Sequence, residues 1–136
     1  MRQGNNGHEK VHVQLWRLYG SNQHCVYAGC QKESKEMRSI MQNDMTRCYL
    51  CGKTEAELHE RLEEHHVIFG QGRRKLSEQY GLKIYLHGET CHRNGKEAPH
   101  RNRLVRRTME AAAQSAFEKE WGSREEFMRI FGKNYL

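Results

Sequence analysis

The sequence predicts an α+β fold, a small domain in which two strands and several helices are arranged around metal ligands. Three observations predict it. The stretch from Glu64 to Asn102, EHHVIFGQGRRKLSEQYGLKIYLHGETCHRNGKEAPHRN, holds five of the nine histidines (His65, His66, His87, His92, His100) together with Cys91, and a Cys-x-x-Cys at Cys48 and Cys51 lies upstream. Inside that stretch HHVIFG and LKIYLH have the β-branched and aromatic content of strands, separated by a basic excursion. Beyond it, apolar residues recur every three or four positions from about Arg103 to Trp121.

A chain of 136 residues suits one domain, but only 36% of it is hydrophobic and its mean hydropathy is −1.01, so burial alone makes a thin core. A bound structural metal offsets this, because its binding contributes folding free energy directly. The net charge is +6. Between His65 and Arg107 ten Lys or Arg stand against three acids, so the basic surplus sits on the histidine-rich segment and favours a polyanionic partner. Five cysteines without a signal-peptide pattern predict a reducing, cytoplasmic setting and metal ligation in preference to disulfides. No apolar run is long enough to span a bilayer, so a soluble protein with no membrane partner is expected.

In chain order, residues 1–36 are expected to form a poorly ordered N-terminal extension, in which VHVQLWRLYG makes at most one short strand. Cys25 and Cys30, with His24, lack a second ligand pair there. MRSIMQNDMTR leads into CYLCG, a turn that brings two sulfurs to one ion from adjacent vertices, as tetrahedral zinc requires. Thr54 and Glu57 form a capping box for a short helix through Leu62, with His59 solvated on it. HHVIFG then reads as a strand ending at Gly70 and Gly72. RRKLSEQYG reads as a helical turn or basic loop stopped by Gly81. LKIYLH alternates, with Leu82, Ile84 and Leu86 on one face and Lys83, Tyr85 and His87 on the other.

After the Cys91 and His92 turn, Pro99 and Asn102 precede the long helix. Its inward stripe is read as Leu104, Val105, Thr108, Met109, Ala112, Ala116, Phe117 and Trp121. Arg103, Arg106 and Arg107 fall in its first turns, where they oppose the helix dipole, a local cost consistent with service to an anionic partner. Ser123 and Glu126 form a second capping box for a short helix that turns Phe127, Ile130 and Phe131 inward and stops at Gly132.

Taken together, CYLCG, EHHVIFG, RRKLSEQYGL, LKIYLHGETCH, the PHRN beyond it and the terminal FMRIFGKNYL resemble the HNH endonucleases, in particular the small phage and prophage-associated kind with a zinc knuckle. The resemblance covers residues 37–136 and makes these the nuclease domain. It implies a ββα-metal (His-Me finger) fold with a zinc knuckle and C-terminal helices, in a phage-encoded or bacterial protein. Relatives of this kind begin close to MRSIMQ, which makes Met37 a candidate start. The resemblance implies a structural Zn2+ on Cys48, Cys51, Cys91 and His87, the last standing where relatives often carry cysteine and separated from Cys91 by three residues instead of two. It implies a catalytic divalent ion, Mg2+, Mn2+ or similar, on His65 and His92, with His100 as a further ligand.

In the same pattern His66 is the general base that takes a proton from the attacking water, a task suited to imidazole at neutral pH. The resemblance implies double-stranded DNA as the substrate, cut to leave a 5′ phosphate. Arg73, Arg74, Lys75, Arg101, Arg103, Arg106 and Arg107 are the backbone-contacting residues, positioning the substrate without reading its sequence. One departure stands out: the motif's middle Asn is absent between Val67 and Cys91, with Gln71, Ser77 or Gln79 as substitutes. That absence keeps open a second reading, a catalytically inactive zinc-stabilised nucleic-acid-binding module. A third is a zinc-knuckle interaction protein whose histidines point to separate faces.

Overall fold

The computed structural model describes residues 37–136. The expected N-terminal arm, with Cys25, Cys30 and His24, lies outside the described residues. Within them the fold is α+β, an antiparallel two-stranded ribbon with helices packed about it. The elements are α1 (Glu55–Leu58), β1 (Leu62–His66), α2 (Arg73–Tyr80), β2 (Lys83–His87), a π-helical turn (Gly88–Arg93), α3 (Arg103–Glu120) and α4 (Arg124–Phe131). No helix of the described residues is long and apolar enough to cross a membrane.

The ribbon's register runs from Leu62 opposite His87 to His66 opposite Lys83. Because side chains alternate along a strand, His87, Lys83, Tyr85, Glu64 and His66 share one face, while Glu63, His65, Ile84 and Leu86 share the other. Val67, Ile68, Leu82, Ile84 and Leu86 form the core with Met109, Ala113 and Phe117 of α3 and Phe127 and Phe131 of α4. Ring pairs tie the helices together, including Tyr80 on Phe117 with centroids 5.1 Å apart and Phe117 on Phe127 at 5.3 Å. Such edge-to-face pairs are worth about 0.5–1.5 kcal/mol each beyond burial.

Both capping boxes form as the spacing predicts, at Thr54 with Glu57 and at Ser123 with Glu126. The first helix is shorter than expected. His59 turns left-handed (φ 51°) as its C-cap and is exposed, so Leu62 joins β1 and not the helix. The first strand is also displaced. It spans Leu62–His66 where HHVIFG was expected: Val67 still donates its N–H to the Leu82 carbonyl at 3.0 Å, and from there Val67 and Ile68, at 1% and 0% exposure, turn into the core. The β-branched character of Ile68 reports burial, not pairing. RRKLSEQY is a full helix, stopped by Gly81 at φ 68°. That stop must be glycine, because a Cβ there would collide with the Arg38 carbonyl.

In α3 the stripe holds from Met109 to Phe117, joined by Ala113 and Gln114, but Leu104 is 75% exposed and Trp121 42% exposed. Burial begins only at the second turn, and Trp121 is the C-cap, resting its indole N–H on the Tyr80 carbonyl at 3.1 Å. The segment leading into the Cys-x-x-Cys, together with Tyr49 inside it, closes the free edge of β2. Gln42 accepts the Tyr85 N–H at 2.8 Å, and Tyr49 donates its N–H to the Tyr85 carbonyl at 2.8 Å.

Candidate metal centres

The turn Cys48–Gly52 is closed by the Gly52 N–H on the Cys48 carbonyl at 2.9 Å, with Cys48 N–H on Lys53 O at 2.8 Å. It places Cys48 and Cys51 beside the end of β2, where His87 and Cys91 complete a Cys3His set whose ligand atoms all lie within 4.8 Å of one another. Thiolates on one tetrahedral zinc at about 2.3 Å stand about 3.8 Å apart, so the set is of the right size. All three cysteines are free; Cys48 and Cys91 are buried and Cys51 is exposed. His87 is fully buried, its Nε2 3.2 Å from the Thr54 carbonyl, which leaves Nδ1 facing the sulfurs, 3.4 Å from Cys51 Sγ. An Nε2–H donated to a carbonyl fixes Nδ1 as the ligating atom.

The thiols differ in acidity. Burial raises Cys48, but backbone N–H bonds from Cys51, His87 and Leu50 outweigh it and bring it to about 7. Burial and the neighbouring Cys48 and Cys51 push Cys91 up to about 12. Crowded thiolates with no cation among them repel one another, and a dication removes that cost. This cluster suits a metal such as zinc.

The extra residue between His87 and Cys91 is taken up by the π-helical turn. Asn94 N–H reaches back five residues to the Glu89 carbonyl at 2.8 Å, and the wider coil holds one residue more per turn than an α-helix. Glu60 clamps its start, its carboxylate accepting the N–H groups of Glu89 and Thr90 and the Thr90 hydroxyl. The turn sends Cys91 into the sulfur pocket and the next residue, His92, toward β1.

There His92 Nε2 lies 3.0 Å from His65 Nδ1 and 3.1 Å from His100 Nε2, and the three nitrogens form a second potential metal group. On its far side His92 Nδ1 meets Glu63 Oε2 at 3.0 Å, and Arg93 holds the same carboxylate at 2.6 Å. With Nδ1–H donated to Glu63, His92 Nε2 carries a lone pair, and two further ring nitrogens crowd toward it. Cis ligands at about 2.1 Å around an octahedral ion stand about 3.0 Å apart, so the spacing fits a shared cation. Burial and the neighbouring His92, His100 and His66 lower His65 to about 3; burial, His92 and nearby arginines lower His100. Both rings therefore keep their lone pairs at neutral pH. His65 is buried, His92 half-buried and His100 exposed, so the cluster is open on one side.

His66, the expected base, lies on the other face of β1 from His65. Its Nε2 is 2.7 Å from Glu78 Oε2 and 3.4 Å from Glu64 Oε1. The expected basic residues divide. Arg106 lies over the Phe69 ring at 5.8 Å, and that ring packs on His100 and His65, so Arg106 stands at the open cluster. Arg101 braces the turn through the Asn94 carbonyl at 3.1 Å. Arg74, Lys75, Arg103 and Arg107 are exposed, while Arg73 is half-buried on the side of Gly132. Of the three candidates for the absent Asn, Gln71 and Gln79 are exposed; Ser77 is buried, its hydroxyl on the Ile68 carbonyl at 2.6 Å.

Sequence reasoning passed over Glu60, Glu63, Glu64, Glu78 and Lys83. Alternation alone places Glu63 with His65 and Glu64 with His66, so these two were readable once the strand was set in the right place. No family model matches the chain, and no curated protein or solved structure matches it.

Proposed function

We propose that the chain is a metal-dependent endonuclease of the HNH type that hydrolyses DNA phosphodiester bonds. One observation carries the reading: three imidazole nitrogens from β1, the π-helical turn and the loop before α3 converge on a half-open position, next to a Cys3His pocket on the same turn that is buried at three of its four ligands. Closed sets hold structure; sets with an open position do chemistry. In this reading the Cys3His pocket is a zinc knuckle. A divalent cation such as Mg2+ or Mn2+, held by His65, His92 and His100, supplies the charge that offsets the developing negative charge on the phosphate and the leaving 3′ oxygen.

His66 takes the proton of the attacking water. The hydroxide oxygen bonds to phosphorus in line, the bond to the 3′ oxygen breaks, and that oxygen takes a proton from solvent, leaving a 5′ phosphate. Arg106 at the open cluster and the exposed Arg74, Lys75, Arg103 and Arg107 hold the backbone. Ser77 takes the part of the missing Asn by fixing the Ile68 carbonyl, two residues past His66. The test is plasmid cleavage with Mg2+ or Mn2+ beside metal analysis, for the full chain and His66→Ala. Cleavage should fall about 10²- to 10⁴-fold in the variant with its zinc content unchanged. Retained cleavage would remove His66 as the base. Salt-sensitive DNA binding without cleavage by the unaltered chain would establish the binding module instead.

A further inference from the structure

A third polar cluster lies on the His66 face of the ribbon, and it contains a buried cation. Lys83, 3% exposed, sits opposite His66 across the ribbon, with its Nζ 2.9 Å from Glu64 Oε2 and 2.7 Å from Glu78 Oε1. The remaining oxygen of each carboxylate faces His66, itself 9% exposed. Glu64, His66 and Glu78 form a set of metal-ligand type, but the Lys83 ammonium, bound to the other oxygen of each carboxylate, already supplies the positive charge that a cation would bring. The cluster is therefore a fixed ion network with an imidazole at its edge.

Glu78 comes from α2, and α2 is pinned to the chain beyond His66 by the neighbouring Ser77, buried on the Ile68 carbonyl. The buried Lys83 ammonium on Glu78 keeps that carboxylate ionised, so Glu78 is an acceptor and His66 Nε2 must be the donor. The ring then has its lone pair on Nδ1. We propose that Glu78 is a positioning residue for His66, holding it as the Nε2–H tautomer so that Nδ1 is the proton-accepting atom, with Lys83 as the strut that aims Glu78. The inference rests on the nuclease reading. The water proton goes to Nδ1, the Nε2 proton stays on the Glu78 hydrogen bond, and the extra carboxylate charge of the network balances the imidazolium so formed. A fixed acceptor behind a catalytic histidine is a strong lever, since the wrong tautomer has its lone pair on the wrong side.

The test uses the full zinc-loaded chain, Glu78→Ala, Glu78→Gln and Lys83→Met, with zinc content and far-ultraviolet circular dichroism as controls on folding. Long-range proton–nitrogen NMR reads which His66 nitrogen carries hydrogen, and plasmid cleavage gives kcat and KM. The unaltered chain should show His66 protonated at Nε2. Glu78→Ala should give mixed tautomers and a kcat about 10- to 100-fold lower, with KM within about twofold. Glu78→Gln, whose amide oxygen can still accept, should recover part of both signals. A Lys83→Met protein that folds should resemble Glu78→Ala more weakly; if it does not fold, the two Glu78 variants decide. Nδ1 protonation in the unaltered chain, or a Glu78→Ala tautomer and kcat that do not move, would overturn the proposal. Absence of cleavage by the unaltered chain alongside a Glu78-dependent tautomer would overturn the nuclease reading alone.

Discussion

The Cys3His pocket and the three-histidine cluster are fed by consecutive residues, Cys91 and His92, yet they are built to opposite ends. In the first, only Cys51 reaches solvent. In the second, burial declines from His65 through His92 to His100. The sulfur pocket closes on residues from three places along the chain, the Cys-x-x-Cys turn, the end of β2 and the π-helical turn, and so joins the first of these to the ribbon. The histidine cluster is braced from behind, by Glu63 on His92, and left free in front. The lesson of the pair is that a single six-residue turn can split one strand end into a site that holds the fold and a site that remains accessible.

The sharpest way to break the comparison is to take each metal set apart in turn. Cys48→Ser should abolish the cooperative thermal transition, or lower it by tens of degrees, because structural zinc contributes on the order of 10 kcal/mol to folding; a chain that melts as before would remove the pocket's structural role. His92→Ala should leave that transition nearly in place while Mn2+ affinity at the histidine cluster drops at least about a hundredfold, measured by calorimetry. Equal loss of folding in both variants would erase the distinction. The smallest effect is in pH. Protons compete with metal for imidazoles, so lowering pH weakens binding. Three ordinary imidazoles would lose on the order of fiftyfold in affinity from pH 7.5 to 6. With His65 at about 3, protons do not reach its lone pair in this window, and with His100 lowered they compete less there, so the loss should fall well short of that.

Much of this was legible in the sequence because it is local. Capping boxes, the helix stops at Gly81 and Gly132 and the existence of β2 are decided within a few residues, and each forms where its spacing places it. The candidate ligands were also legible, since sulfur and imidazole have few other reasons to cluster. The limits of β1 were not, because Val67 and Ile68 satisfy a strand pattern and a buried loop equally well, and only the pairing of Glu63 and Glu64 across to β2 decides between them. The spacing from His87 to Cys91, irregular as sequence, became intelligible only as a π-helical turn. Lys83 was read as a polar-face residue, and nothing local tells that two carboxylates from β1 and α2 bury it.

The ribbon's register has a consequence for how this chain can change length. His65 and His66 serve opposite faces, and His87 hangs from the partner strand. An insertion of one residue that slid β1 a single step along β2 would turn both histidines over together and carry His87 out of line with the cysteines. The stretch at Lys96 and Glu97 is exposed but joins His92 to His100, with the Lys96 carbonyl accepting from the Asn102 amide at 3.0 Å. Drift in chain length should therefore collect at the surface ends of the helices, while the span from Leu62 to His100 stays the same number of residues long.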